Sequence, residues 1–150
     1  MSKNLLVKQI VEKFRTDATL VVLTGHGTSD IRIARDKQPV KEKLPFLGAT
    51  IFQSIPLISA DVTHLQRSRV YVRSYAVYDY TAAEIADRVE VLLQPEKTGA
   101  VTSYYDFSGT NISNRDTRWK STSLPDYDDK TGIWDVLVEF DVTWVNLTCA

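Results

Sequence analysis

From Gly132 to Asn146 the chain alternates. Trp134, Val136, Val138, Phe140, Val142 and Trp144 take every second position, with Asp135, Leu137, Glu139, Asp141 and Thr143 between them. A β-strand puts successive side chains on opposite faces, so a period of two predicts one long strand with a buried face and a wet face. At ~3.4 Å per residue it runs on the order of 45 Å, beyond the usual strand. A strand of that length is expected to overshoot the sheet of a small domain. Something must cover the overhang, and another subunit is the natural cover.

The 150 residues suit one domain with a real core. With 43% apolar and 25% charged residues the composition is that of an ordinary globular protein. A net charge of −1 argues against a general nucleic-acid binder, which needs clustered positive charge. No apolar run approaches the ~18 residues of a membrane span. Lys8, Gln9 and Glu12 interrupt the apolar residues of the N-terminal stretch, which is therefore not expected to be a secretory signal. Cys149 is the one cysteine, so no internal disulfide or cysteine metal site forms, and a reducing setting is expected. The sequon Asn146-Leu147-Thr148 is expected to be silent there.

Leu6, Val7, Ile10, Val11 and Phe14 repeat at helical spacing and predict an amphipathic helix over 4–15. The apolar run 20–23, ended by Thr24-Gly25-His26-Gly27, fits a strand or a helical turn. Residues 28–44 read as an exposed loop with a short strand at Ile31 and Ile33. Strands are predicted at 46–55, where Gly48 is a weak point, and at 69–78. The second carries bulk on both faces, as a strand covered on both sides would. A helix follows from Thr81, with Asp79 or Thr81 as cap, Glu84 at the capping-box spacing and Pro95 as the stop. Residues 99–107 and 112–123 are predicted as further strands, and 124–132 as a polar turn before the final strand. The fold class is α+β: a single domain, 1–150, whose mostly antiparallel sheet carries two main helices.

Chemistry is sparse. His26 and His64 stand alone, and no His, Cys or carboxylate spacing fits a metal site. His26, between two glycines, reads as conformational. Gly25-His26-Gly27-Thr28 lacks the Lys-Ser/Thr ending of a phosphate loop. Asp126, Asp128 and Asp129 look like a calcium-loop fragment, but its twelfth position is Leu137 where a bidentate Glu is needed. Tyr71 and Tyr75 around Arg73 fit a base-stacking platform, whereas Trp134 and Trp144 in the apolar stripe fit core packing or, near the strand's ends, an interface. No catalytic residue and no cofactor is expected.

The positive signal is charge segregation. Residues 32–43 hold Arg32, Arg35, Lys37, Lys41 and Lys43 against Asp36 and Glu42. Residues 126–141 hold six acidic residues against Lys130. The two segments can meet within one chain or head to tail between chains. Arg32, Arg35 and Lys37 are the candidate interface donors; Asp126, Asp128 and Asp129 are the candidate acceptors.

The order of elements resembles a known family. An N-terminal helix and a loop lead through Leu44-Pro45-Phe46 into a strand. Arg69-Val70-Tyr71-Val72 follows, then Tyr78-Asp79-Tyr80-Thr81-Ala82-Ala83-Glu84-Ile85-Ala86-Asp87-Arg88-Val89. An aspartate-rich turn, 126–132, precedes a long strand ending near Trp144-Val145. Over roughly residues 4–145 this is similar to the tail-completion, or tail-terminator, proteins of tailed bacteriophages. Segments 24–44 and 100–123 are larger than in a minimal member. The resemblance implies a virion protein without catalysis, assembled in the host cytoplasm. It implies a ring, commonly of six copies, that stops tail-tube growth at its head-proximal end and joins the neck proteins. DNA would pass through such a ring without sequence-specific contact. A neck stopper or a tail-tube subunit is the nearest alternative; a small enzyme or nucleic-acid-binding domain is the other class.

Overall fold

A computed structural model describes residues 2–57, 65–94 and 104–148. His64, Cys149 and the first half of the strand expected at 99–107 lie outside these residues.

Helix α1 spans Ser2–Arg15, and its apolar stripe of Leu6, Val7, Ile10, Val11 and Phe14 is buried. Lys13 and Arg15 sit in its last turn, where cations offset the exposed carbonyl ends. The ambiguous run at 20–23 is helical: α2 spans Ala18–Thr24. Caps settle that ambiguity. The Asp17 carboxylate accepts from the Leu20 amide at 3.0 Å, and Gly25, at φ 74°, closes the helix with its N–H on the Val21 carbonyl.

Among the described residues six strands form one sheet: β1 (Ile33–Arg35), β2 (Phe46–Pro56), β3 (Leu65–Ala76), β4 (Ile112–Thr122), β5 (Asp126–Asp128) and β6 (Ile133–Asn146). The order is β1-β2-β3-β6-β4, with β5 also paired to β6. Only β1–β2 is parallel among these pairs. Helix α3 (Asp79–Leu93) follows β3 and lies with α1 over one face. The α+β class and its mostly antiparallel sheet hold.

The long final strand is present, but it does not overhang. β3 pairs it from Leu65↔Val145 to Ala76↔Trp134, and β4 and β5 share its other edge. A twelve-residue partner strand removes the need for a subunit to cover an end. Along β6, Val136, Val138, Phe140, Val142 and Trp144 are buried while the residues between them are partly exposed. Trp144 is fully enclosed, its Nε1 donating to Ser68 Oγ at 2.9 Å, so it belongs to the core and not to an interface. Trp134 is half-buried against the core and tilts onto Tyr127.

Three local expectations are corrected. Helix α3 begins at Asp79, so Thr81 and Glu84 are already inside it and form no capping box; Tyr78 is the N-cap residue and gives no side-chain bond. Residues 104–107 are not a strand. Asn114, 3% exposed, replaces the ladder: its Oδ1 accepts from the Phe107 amide at 2.8 Å and its Nδ2 donates to the Asp116 and Thr143 carbonyls. That fixes Phe107 between Phe14 and Phe140, at 5.8 and 5.9 Å between ring centres. The turn expected at 124–132 contains β5, and Gly132, at φ 71°, returns the chain into β6.

Gly48 sits within β2 for a steric reason. A Cβ there would lie 2.7 Å from the Asp36 backbone, so the glycine lets the chain leaving β1 pass over the strand.

Candidate assembly surfaces

The segment 28–44 is not a bare loop. Ile33 is fully buried, β1 pairs with β2, and residues 41–43 form a short 3-10 turn. Histidine organises its start. His26 Nδ1 accepts from the Arg32 and Ile33 amides at 3.0 and 3.1 Å, which requires an imidazole unprotonated at that nitrogen. Burial and the nearby Arg15 charge lower its pKa, against an upward pull from Asp30. Sequence reading placed His26 in a conformational role, and these bonds give that role a form.

A pH dependence follows. The folded pKa lies below the unfolded value, so the unfolded chain binds the extra proton first as pH falls. His26 therefore contributes stability that is present above pH ~6.5 and is lost as pH falls toward its folded pKa. Urea midpoints at pH 7.5 and pH 5.5 should show a loss in the native chain that His26→Gln lacks. An equal loss in both proteins would remove histidine as the cause.

The cations of this segment are unequally free. Arg32 donates from Nε and Nη2 to Asp30, at 3.0 Å each, and from Nη1 to the Leu44 carbonyl at 2.6 Å. Lys43 also reaches Asp30 at 3.2 Å. Both cations hold the Asp30 carboxyl down to about 2. Arg32 is thus spent on shaping its own loop. Arg35 donates to Asn4 at the protein surface, and Lys37 is exposed without an ion pair among the described residues.

On the acidic side, Asp126, Asp128 and Asp129 are exposed along and after β5. Asp128 Oδ1 accepts from the Lys130 amide at 2.9 Å, and none of the three forms an ion pair among the described residues. Their charge adds to a crowded edge: burial first, and then Asp126 and Asp36, raise the Asp135 pKa against the pull of Arg73. Arg32, Arg35 and Lys37 do not meet these aspartates within the chain. At this end the strands run β1-β2-β3-β6-β5, so the two sets occupy opposite sheet edges. Lys41 of the same segment does reach the turn: its ammonium would lie 3.1 Å from a Cβ added at Gly132.

Among the described residues the sheet face opposite the helices is only partly covered: Phe46, Tyr75 and Ile133 are buried on it, and the rest is partly exposed. It carries charges in rows across paired strands. Arg69 Nε donates to Asp141 at 3.0 Å, Lys120 stands 3.6 Å from the same carboxylate, and Arg73 lies between Asp135 at 3.4 Å and Asp36 at 3.7 Å. Tyr75 is buried and donates to Asp36 at 2.7 Å, and Tyr71 stacks on Phe52 at 4.9 Å. Tyr75 is thus taken up by Asp36, while the Tyr71–Phe52 pair stays at the surface, with Phe52 61% exposed.

One feature lay beyond the sequence reading. A cleft of about 350 Å³ opens beside β1, lined by Ile31, Ala34, Pro39, Val40 and Phe46 with Lys37 and Lys43 at its polar side. Ile31 and Val40 are apolar residues standing in a charged segment, and that mismatch was its only trace in the sequence. Leu124, just before β5 and 86% exposed, is likewise an apolar side chain in a stretch that reads as a polar turn. Among the described residues no group of three His, Cys, Asp or Glu side chains is placed to hold a metal ion. No helix there is long and apolar enough to cross a membrane.

No protein-family model matches this chain, and no curated protein matches it. Its fold is similar to that of a chain in a solved structure described as the virion of a native gene transfer agent particle, with a TM-score of 0.56 and 14% identity over 90% of each chain.

Proposed function

We propose that this protein is a structural component of a virion: a tail terminator that forms a ring at the head-proximal end of a phage tail. The observation that carries the reading is the fold shared with a virion-particle chain over nearly the full length of both. The resemblance of residues 4–145 to tail-completion proteins points the same way. The charge layout suits a ring. A closed ring needs two different patches per subunit, each fitting the other on its neighbour. Arg35 and Lys37 by β1 and the aspartates of β5, at opposite edges of one sheet, supply such a pair.

In this reading six copies surround a bore that passes DNA, with tail-tube and neck proteins on the two ring faces. Arg35 and Lys37, with Arg32 behind them, face Asp126, Asp128 and Asp129 of the next subunit. Exposed pairs contribute only ~0–1 kcal/mol each, so no single reversal dissolves the ring. Reversing Arg35 and Lys37 together is expected to weaken assembly, most at low salt where like charges repel over the longest range. Reversing the three aspartates as well should restore it.

The deciding experiment is genetic. A phage lacking this protein is expected to fill its heads with DNA and to leave tails unattached or of uncontrolled length. Normal joined particles, or arrest at genome replication, would overturn the assignment. Tube-length control that stays intact while head joining fails would point instead to a neck stopper.

A further inference from the structure

The apolar cleft beside β1 and the exposed Leu124 are complementary, and each lacks an occupant among the described residues. The cleft holds about 350 Å³, and its lining joins Ile31, Val40 and Phe46 with Lys37 and Lys43. Ile31 and Val40 remain 42% and 60% exposed, so apolar surface is left facing water. Leu124 is 86% exposed and is followed within five residues by Tyr127, 46% exposed, and by Asp126, Asp128 and Asp129. An apolar anchor trailed by carboxylates is what an apolar cleft with a lysine rim accepts.

We infer that the cleft of one subunit receives Leu124 of a second copy, with Asp126 and Asp128 of the inserted segment set against Lys37 and Lys43. The inference deepens the ring reading, on which it rests for the identity of the occupant. The chain's own Leu124 does not fill the site: it is 86% exposed, and β5, which follows it, pairs with β6 on the edge away from β3. Both partners are fixed before contact. β1 is held to β2 by pairing, with Arg15 Nε donating to the Ile33 carbonyl at 2.8 Å. On the other side the Leu137 amide donates to Ser123 Oγ at 2.9 Å, and β5 pairs with β6. Little ordering is needed on binding, which favours association. Opposite edges make the contact heterologous, so each subunit uses its cleft on one neighbour and its Leu124 on the other.

Two measurements test this. In the first, a synthetic peptide of residues 121–130 is titrated into isotope-labelled full-length protein. Amide shifts are expected at Ile31, Ala34, Val40 and Phe46, and a peptide carrying Leu124→Asp should cause none. No shift at millimolar peptide, or shifts centred elsewhere, overturns the proposal whether or not the free chain assembles. In the second, full-length Leu124→Asp and Val40→Glu are sedimented separately and mixed. Both positions are solvent-exposed, so the fold should tolerate them. Each change is expected to weaken subunit association roughly 10- to 100-fold, the effect of losing one buried aliphatic contact. Mixed in equal amounts, the two variants should form a two-subunit species and nothing larger, because one intact cleft and one intact Leu124 remain between them. Variants that assemble like the native chain would overturn the cleft and leave the ring standing. A peptide that seats in the cleft, with no ring found on particles, would do the reverse.

Discussion

Phe140→Ala is expected to destabilise the protein by about 3–5 kcal/mol, the range for removing a large aromatic from a close-packed core. Phe140 is fully buried at the middle of β6, opposite Val70 on β3 and Trp119 on β4. Its ring stacks on Phe107, which in turn meets Phe14 of α1. Truncation therefore opens a void where the sheet, the first helix and the 104–108 segment converge. Such a void collapses poorly, because the strands on both sides are fixed by their ladders. Domains are commonly stable by only ~5–15 kcal/mol, so the loss is a large share. Urea unfolding of the two proteins measures it. Phe140→Leu, which keeps most of the volume, should cost less than about 1.5 kcal/mol. A loss below ~1 kcal/mol for the alanine variant would mean that the position is not enclosed as described.

Asp17→Ala should be the next most costly change, at about 2–3 kcal/mol. One carboxylate does two jobs. It caps α2 through the Leu20 amide, and it accepts from Arg88 Nε and Nη2 at 3.0 and 2.8 Å, tying α2 to α3. A lost cap costs ~0.5–2 kcal/mol, and hydrogen bonds to charged groups contribute ~1.5–3, partly shared here and discounted because Arg88 is partly exposed. Asp17→Asn separates the roles: it can still cap, but it loses the charge facing Arg88. It should fall between the native chain and the alanine variant in urea midpoint. Equality of Asp17→Asn with the native chain would reduce the Arg88 pair to a bystander.

The same residue sets an acid limit. The Arg88 hydrogen bond lowers the Asp17 pKa, with help from the Leu20 amide and against its burial. A folded pKa below the unfolded one means that the stabilisation is complete above pH ~4 and is lost as pH falls through the folded value. Asp17→Asn should flatten the acid end of the stability profile. An unchanged acid transition would place the sensitive carboxylate elsewhere.

The fold was legible where periodicity was strong. The β6 alternation and the stripe of α1 announced themselves because each face meets a single environment, and a residue's neighbours two or four positions away share it. Local signals also placed β4 and the helix after β3. Non-local pairing decided the rest. β6 has no overhang because β3, some seventy residues earlier, has the matching length, and no local pattern carries that information. The 104–107 stretch has the composition of a strand but spends its backbone bonds on the side chains of Asn114 and Thr117.

The candidate surfaces divide in the same way. Composition alone separated the basic segment from the acidic one, because charge is written residue by residue. Which cations are free was decided by tertiary contacts, as Arg32 is consumed by Asp30 and Leu44 while Lys37 is left exposed. That Arg35 and Lys37 lie at the opposite edge from the aspartates followed from strand order, although Lys41 of the same segment reaches the β5–β6 turn. The cleft required β1 to lie parallel to β2 so that Phe46, Ala34 and Val40 share one hollow. Sequence fixes which side chains exist and which local shapes they favour; pairing between distant segments decides which of them remain available to a partner.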